Sequence, residues 1–318
     1  MRVLVSSYGS VSCPPRKNKG AAENPNLSAQ CTIVACHRRI VSPIAAMIRP
    51  MEGDLGMSFD SDSVRTTYDA WGDVVNPETA VVSENKSLYS QTVRDWGYDC
   101  PELATDVLVR ALSSRGAISQ IDRTHGLRML DVGCADGLQA ESLCTAGVLR
   151  QNDFSSNSME GMDLSPKLLR RAMESGGYKN LICDDLNRCD FGETDVATAR
   201  FANNAFHVTF CVGVLTYVDP LAYAERDEDK PDARKRKNPL RELARVTSRL
   251  VIFTCRTDMC EAWEAIADEM VLDSTWTQLE KKKVPYLPKN KTYTDKGVEA
   301  KIYAYVVTSG VDEYSASS

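Results

Sequence analysis

The sequence predicts an α/β protein in which helices wrap both faces of a mostly parallel sheet. Two observations predict this. From residue 99 onward, helical and extended hydrophobic patterns alternate, as they do when each strand hands over to a crossover helix. One handover point, Ser165-Pro166, also carries helix-start signals directly after a short apolar run.

The first helix is expected to open at Pro101, a good first-turn residue, with Leu103, Val107, Leu108, Ala111 and Leu112 on one face, and to stop near Gly116. Leu127 to Val132 reads as a buried strand. A glycine-bearing turn follows, then a helix with Ala140, Leu143 and Cys144 spaced to pack inward. In the second unit Met159 to Leu164 is the strand, Ser165 the N-cap and Pro166 the first helical residue. Leu168, Leu169, Ala172 and Met173 point inward, and Gly176 is the stop. Later strands are Asn180 to Cys183, Phe206 to Val212 and Leu250 to Thr254, with Asn238 and Pro239 starting a helix that carries Leu240, Leu243 and Val246. The last strand, Lys301 to Val307, is apolar on both faces and is expected inside the sheet.

The ends and one insertion have a different composition. Residues 1–50 hold seven basic residues against one acid, Glu23, and residues 1–55 read as a disordered or transit-like leader. The chain is therefore expected in the cytoplasm, or in an organelle if the leader is a transit peptide. Residues 225–238 are an acidic then basic run, read as a solvated insertion loop within the domain at 56–308, and residues 309–318 as a flexible tail. A net charge of −6 argues against a dedicated nucleic-acid binder. No apolar run reaches the length of a membrane-spanning helix, which predicts a soluble protein without a membrane partner. The eleven cysteines and three histidines fall in no zinc-ligand spacing, so no metal is expected. Oligomeric state is not legible.

The chemistry is concentrated in Leu130-Asp131-Val132-Gly133-Cys134-Ala135-Asp136-Gly137, where a strand hands over to a helix. Glycines there let the backbone approach a ligand, and the helix N-terminus offers free amides. The spacing is not that of a dinucleotide fingerprint. Asp131, expected to face the ligand, suits a cationic group and would repel a pyrophosphate. A nicotinamide-dependent oxidoreductase is disfavoured on both counts. Read singly, Asp131 could instead cap its turn, Asp163 could support the Ser165 cap, and Asp184 or Asp185 could be ordinary loop acids. Three acids ending successive strands on one sheet edge favour a ligand site.

The LDVGCADG segment resembles the first motif of class I S-adenosylmethionine-dependent methyltransferases, with Ala135 in place of the middle glycine. That resemblance implies a Rossmann-like fold with a seven-stranded sheet and S-adenosylmethionine as the methyl donor. It places Asp131, Gly133, Cys134 and Gly137 around the donor, Asp163 on its ribose hydroxyls and Leu164 on its adenine. Asp184 or Asp185, beside Leu186, would meet the adenine amino group, and Val212 with Gly213 its methionine end. His207 stands where the family commonly has an acid, a change expected to affect only the strand surface.

A narrower resemblance is to the methyltransferase-like protein of the Williams–Beuren chromosome region, carried by Tyr68-Asp69-Ala70-Trp71-Gly72, by Tyr98 to Pro101 and by Val284 to Pro288. It implies an N-terminal lid over residues 56–100, with Tyr68 near the cofactor's carboxylate. Tyr68 and Trp71 could equally pack a helix onto the core. Cys134 and Cys211 are read as small packing residues without a covalent role. No catalytic base is identifiable. The expected acceptor is a small molecule ahead of a protein, with nucleic acid disfavoured; the alternative is a non-catalytic scaffold that binds the cofactor.

Overall fold

The computed structural model describes residues 60–73, 87–113, 115–119, 126–186, 201–218, 220 and 238–308. The expected leader, the tail and all but the last residue of the insertion loop lie outside the described residues.

Seven strands form one sheet in the order β3-β2-β1-β4-β5-β7-β6. They are β1 (Arg128–Val132), β2 (Ser158–Asp163), β3 (Asn180–Cys183), β4 (Phe206–Cys211), β5 (Thr247–Arg256), β6 (Trp276–Pro285) and β7 (Glu299–Val307). The first five are mutually parallel; β7 runs antiparallel between β5 and β6. The helices are α1 (Ser61–Asp73), α2 (Leu88–Asp95), α3 (Cys100–Leu112), α4 (Leu138–Thr145), α5 (Pro166–Glu174), α6 (Pro239–Val246), α7 (Cys260–Leu272) and the single turn α8 (Lys291–Thr294).

Alternation along the strands builds two cores. Leu130, Val132, Val251, Phe253, Tyr303 and Tyr305 face α6 and α7. Their neighbours Met129, Leu250, Ile252, Ile302 and Ala304 face the opposite core, built with α3, α4 and α5. Each of these strands is thus apolar on both sides, which is why the expected parallel sheet reads as unbroken hydrophobic runs. In the first core Phe253 stacks on Tyr303 with ring centroids 4.7 Å apart, and Tyr305 on Trp276 at 4.3 Å. The Trp276 indole donates to the Ala267 carbonyl at 3.0 Å, so the ring buries without leaving its N–H unpaired.

The helix starts behave as the sequence suggests. Ser165 accepts from the Leu168 amide and Asn238 from that of Leu240, each followed by a proline. Three expectations need correction. Met173 is 60% exposed, because Leu168, Leu169 and Ala172 already fill the buried face of α5 and Met173 falls past its edge. On α3 the buried face centres on Ala104, Val107, Leu108 and Ala111, leaving Leu103 and Leu112 half-buried, and the helix ends at Leu112, short of Gly116. On α4 Cys144 is likewise only half-buried.

Among the elements not foreseen are α7 and β6. The buried residues of α7, Cys260, Trp263, Ala267 and Met270, do carry a helical spacing. β6 does not carry a strand signal: it is an edge strand with Glu280, Lys281, Lys282 and Lys283 along it, charges that guard an unpaired edge and erase alternation.

Phe253 sits fully buried where three strands meet, so Phe253→Ala is expected to destabilise the fold by about 3–5 kcal/mol. Urea denaturation of the two proteins checks this.

Candidate cofactor site

A parallel sheet brings the C-terminal ends of its strands to one edge, and the crevice lies where the strand order reverses, here between β1 and β4. The register aligns Asp131 with Gly161 and Phe210, and Asp163 with Cys183. A cleft of about 630 Å³, part of it open to solvent, occupies this edge.

Asp163 anchors its floor. One carboxylate oxygen accepts from the Ala135 amide at 2.8 Å and the other from the Ser165 amide, also at 2.8 Å. Burial pushes this carboxyl up to about 6, against the downward pull of those two amides. The backbone after β1 turns tightly here: Gly133 has φ +74°, and a Cβ on it would meet the Val214 side chain at 2.1 Å. Ala135 takes φ +48°, an uncommon conformation for a residue with a side chain, held by its amide's bond to Asp163. The middle position of the motif thus keeps the backbone a glycine would adopt.

Of the expected site residues, Gly133, Asp163, Leu164 and Val212 line the cleft, as do Asp184, Asp185, Leu186 and Tyr68. Asp131 does not. It is 2% exposed, and its carboxylate accepts from the Tyr178 hydroxyl at 2.7 Å. The expectation that it faces the ligand is corrected: it lies behind the loop, where burial raises its carboxyl to about 7. Cys134 also packs away from the cleft, against Gly161, and Gly137 serves as the left-handed residue that starts α4. Cys211 is wholly buried and burial raises its thiol, in keeping with a packing role. His207 accepts from the Arg128 amide at 3.0 Å at the far end of the strand, away from the cleft.

The N-terminal helices close the cleft from above. The Ser165 hydroxyl, which caps α5, also donates to Asp69 of α1 at 2.6 Å. At Gly72 the α1 backbone lies so close to Lys167 that a Cβ would sit 2.9 Å from the lysine Cβ. α2 is fastened to the loop after β1: the hydroxyls of Ser87 and Ser90 both donate to Asp136, and Arg94 pairs with Glu141 at 2.7 Å. These attachments carry Val64, Tyr68 and Tyr89 to the cleft, where Tyr217 meets them from the turn after β4. Tyr68 lies 5.7 Å from Tyr89 and 5.6 Å from Tyr217 between ring centroids, with Trp71 packed behind at 5.9 Å. Both readings of Tyr68 and Trp71 therefore describe one arrangement: Trp71 packs the helix down, and Tyr68 reaches the cleft. Tyr89 and Tyr217 were missed; Tyr217 lies four residues beyond Gly213 in the turn after β4, and Tyr89 has no sequence signal.

The lining fits the chemistry of S-adenosylmethionine. It offers a carboxylate for a diol, further acids beside the apolar Leu164, Leu186 and Met162 for an amino-bearing flat ring, and close backbone at Gly133 and Gly213. Among the described residues no group of acids, cysteines and histidines could hold a metal, and no helix is long and apolar enough to cross a membrane.

The two buried acids predict a pH dependence. Asp131 and Asp163 both titrate higher in the folded chain than the usual carboxylate value of about 4. Between that value and about 7 the folded state binds more protons than the unfolded one, so stability falls as pH rises through this window. Asp131→Asn keeps an acceptor for Tyr178 and removes the buried charge. It is expected to be at least as stable as the parent at pH 7.5 and to show a flatter slope from pH 5 to 7.5 in urea denaturation.

Residues 130–253 match a family described as a methyltransferase domain. No curated protein matches the chain. Among solved structures it is similar to magnesium protoporphyrin IX methyltransferase from Synechocystis PCC 6803 with bound SAM, at 15% identity over 78% of this chain and 97% of that one, with a TM-score of 0.46. It is also similar to a TehB-like SAM-dependent methyltransferase from Corynebacterium glutamicum, at 13% identity over 69% and 96%, with a TM-score of 0.38. A third is the [4+2]-cyclase SpnF, at 14% over 65% and 81%, with a TM-score of 0.40. The family match runs from β1 into β5, the strands whose ends border the cleft.

Proposed function

We propose that the chain moves a methyl group from S-adenosylmethionine to a small-molecule acceptor. The observation that carries the proposal is the cleft at the reversal point of the sheet, floored by Asp163 and roofed by side chains of α1 and α2. A roof made by two helices of the same chain favours a compact acceptor over a folded protein surface.

In this reading Asp163 accepts from both ribose hydroxyls with the lone pairs its two amide partners leave available. Leu164, Leu186 and Met162 lie against the adenine, and Asp184 or Asp185 accepts from its amino group. Gly133 and Ala135 admit the backbone to close range, while Val212 and Gly213 border the methionine end, with Tyr68 above it. Asp131, buried behind the loop, acts on the cationic end of the ligand only through its field. The cofactor, when bound, supplies an electrophilic methyl on a sulfonium. The chain's part is to hold that methyl in line with the acceptor and to exclude water, which is positioning more than covalent chemistry. The pattern Tyr68-Asp69-Ala70-Trp71-Gly72, now seen to dock α1 on α5, supports placing the chain near the Williams–Beuren methyltransferase-like group within the class.

Calorimetric titration with S-adenosylhomocysteine tests this. The parent chain is expected to bind, and Asp163→Ala to lose about 1.5–3 kcal/mol, the usual worth of hydrogen bonds to a charged group. A folded sample that binds neither this product nor S-adenosylmethionine would overturn the proposal. A sample that binds both and methylates nothing in a broad acceptor screen would point to the scaffold.

A further inference from the structure

Tyr68, Tyr89 and Tyr217 come from three separate elements, yet all three line the cleft, and Tyr68 touches each of the other two in tilted or edge-on geometry. Each is partly exposed, so each presents ring surface to the space. They stand near Gly213, whose approach to the Tyr98 hydroxyl is so close that a Cβ there would lie 2.4 Å from it. The methionine end of the cleft is therefore closed by phenol rings, whereas its other end is bordered by Asp184, Asp185 and aliphatic side chains.

The charges behind the three rings differ in sign. Tyr89 lies within electrostatic reach of Asp131, Asp136 and Asp163. Tyr217 lies within reach of Arg256, whose guanidinium sits 5.7 Å from the Tyr286 ring centroid and 5.0 Å from that of Tyr293. Arg256 is paired with Asp258, but the two are not equally buried. The arginine side chain is 7% exposed and the aspartate 41%, so water screens the arginine's charge less than its partner's. A cationic ligand group is favoured beside Tyr89 and opposed beside Tyr217.

We propose that Tyr217, with Tyr68, forms the binding wall for the methyl acceptor, and that the acceptor is a flat aromatic or conjugated small molecule, neutral or anionic. This rests on the reading of the cleft as an S-adenosylmethionine site. The sulfonium and ammonium of the donor take the Tyr89 side, where three carboxyls lie behind the ring. The acceptor takes the Tyr217 side, stacking on phenol faces and donating or accepting through their hydroxyls. Tyr68 spans the two halves and braces Tyr217 edge-on, with ring centroids 5.6 Å apart. An amine-bearing acceptor, protonated at neutral pH, would meet both Arg256 and the donor's own positive charge.

The test uses three probes with one ring system and different charge: 1-naphthoate, 2-naphthol and 1-naphthylmethylammonium, each titrated by fluorescence into the full chain saturated with S-adenosylhomocysteine. The naphthoate and the naphthol are expected to bind at least tenfold more tightly than the ammonium. Tyr217→Ala is expected to lose that binding at least tenfold and Tyr217→Phe to retain most of it, each variant being measured when saturated with S-adenosylhomocysteine. Tighter binding of the ammonium, or no binding of any probe at millimolar concentration, overturns the proposal, and neither result depends on a variant folding. Loss of S-adenosylhomocysteine binding by the parent chain is a different failure, that of the methyltransferase reading itself.

Discussion

Much of this architecture turns on one carboxylate that sits between two backbone amides. Asp163 holds the Ala135 amide on one side and the Ser165 amide on the other. The first bond fixes the loop after β1 in a conformation that a residue with a side chain rarely adopts. The second fixes the residue that caps α5. That same residue receives α1 through Asp69, so the floor of the cleft and its roof are joined through a single side chain and its two neighbours. A carboxylate so placed has little water around it, which is why its titration moves upward although both partners favour the charged form.

The roof is attached at two places of different kinds. α1 rests on α5 through a hydroxyl–carboxylate bond, a backbone contact at Gly72 and a hydrogen bond from the Arg171 guanidinium to the Gly72 carbonyl at 3.5 Å. α2 is tied to the loop after β1 by two serine hydroxyls on Asp136 and by an ion pair between Arg94 and Glu141. The Ser87 hydroxyl also caps α2 itself, so helix start and attachment use the same side chain. The ion pair is half-exposed and contributes little by itself; the buried serine–aspartate bonds set the position.

Legibility followed the physics of each element. β1 through β5 were readable because strands buried on both faces write continuous apolar runs, and α5 and α6 because Ser165-Pro166 and Asn238-Pro239 write their own starts. β6 was not, since its constraint is to repel a neighbour, and that is met by lysines without periodicity. Of the residues on strand ends and the loop after β1, those whose position the backbone alone determines, such as Gly133, Asp163 and Val212, do line the cleft. Asp131 was misjudged because a one-residue difference along a strand reverses the face, and whether its carboxylate finds a ligand or Tyr178 is decided by α5 and the turn after it, far away in sequence. Tyr89 and Tyr217 could not be read because their meeting is a product of tertiary docking.

The place of β7 bears on how the chain reaches its native state. It is the last strand in sequence, yet it lies between β5 and β6 and is hydrogen-bonded to both. Until residues 299–307 have left the ribosome, β5 has an open edge and β6 has no partner at all. The aromatic stack of Phe253, Tyr303, Tyr305 and Trp276 cannot form before then, because two of its four rings belong to the missing strand. The cleft strands emerge early and the strand that completes their sheet emerges last. A nascent chain therefore passes through a stage with its ligand-binding half assembled and one sheet edge bare, the kind of intermediate that invites pairing with the wrong neighbour.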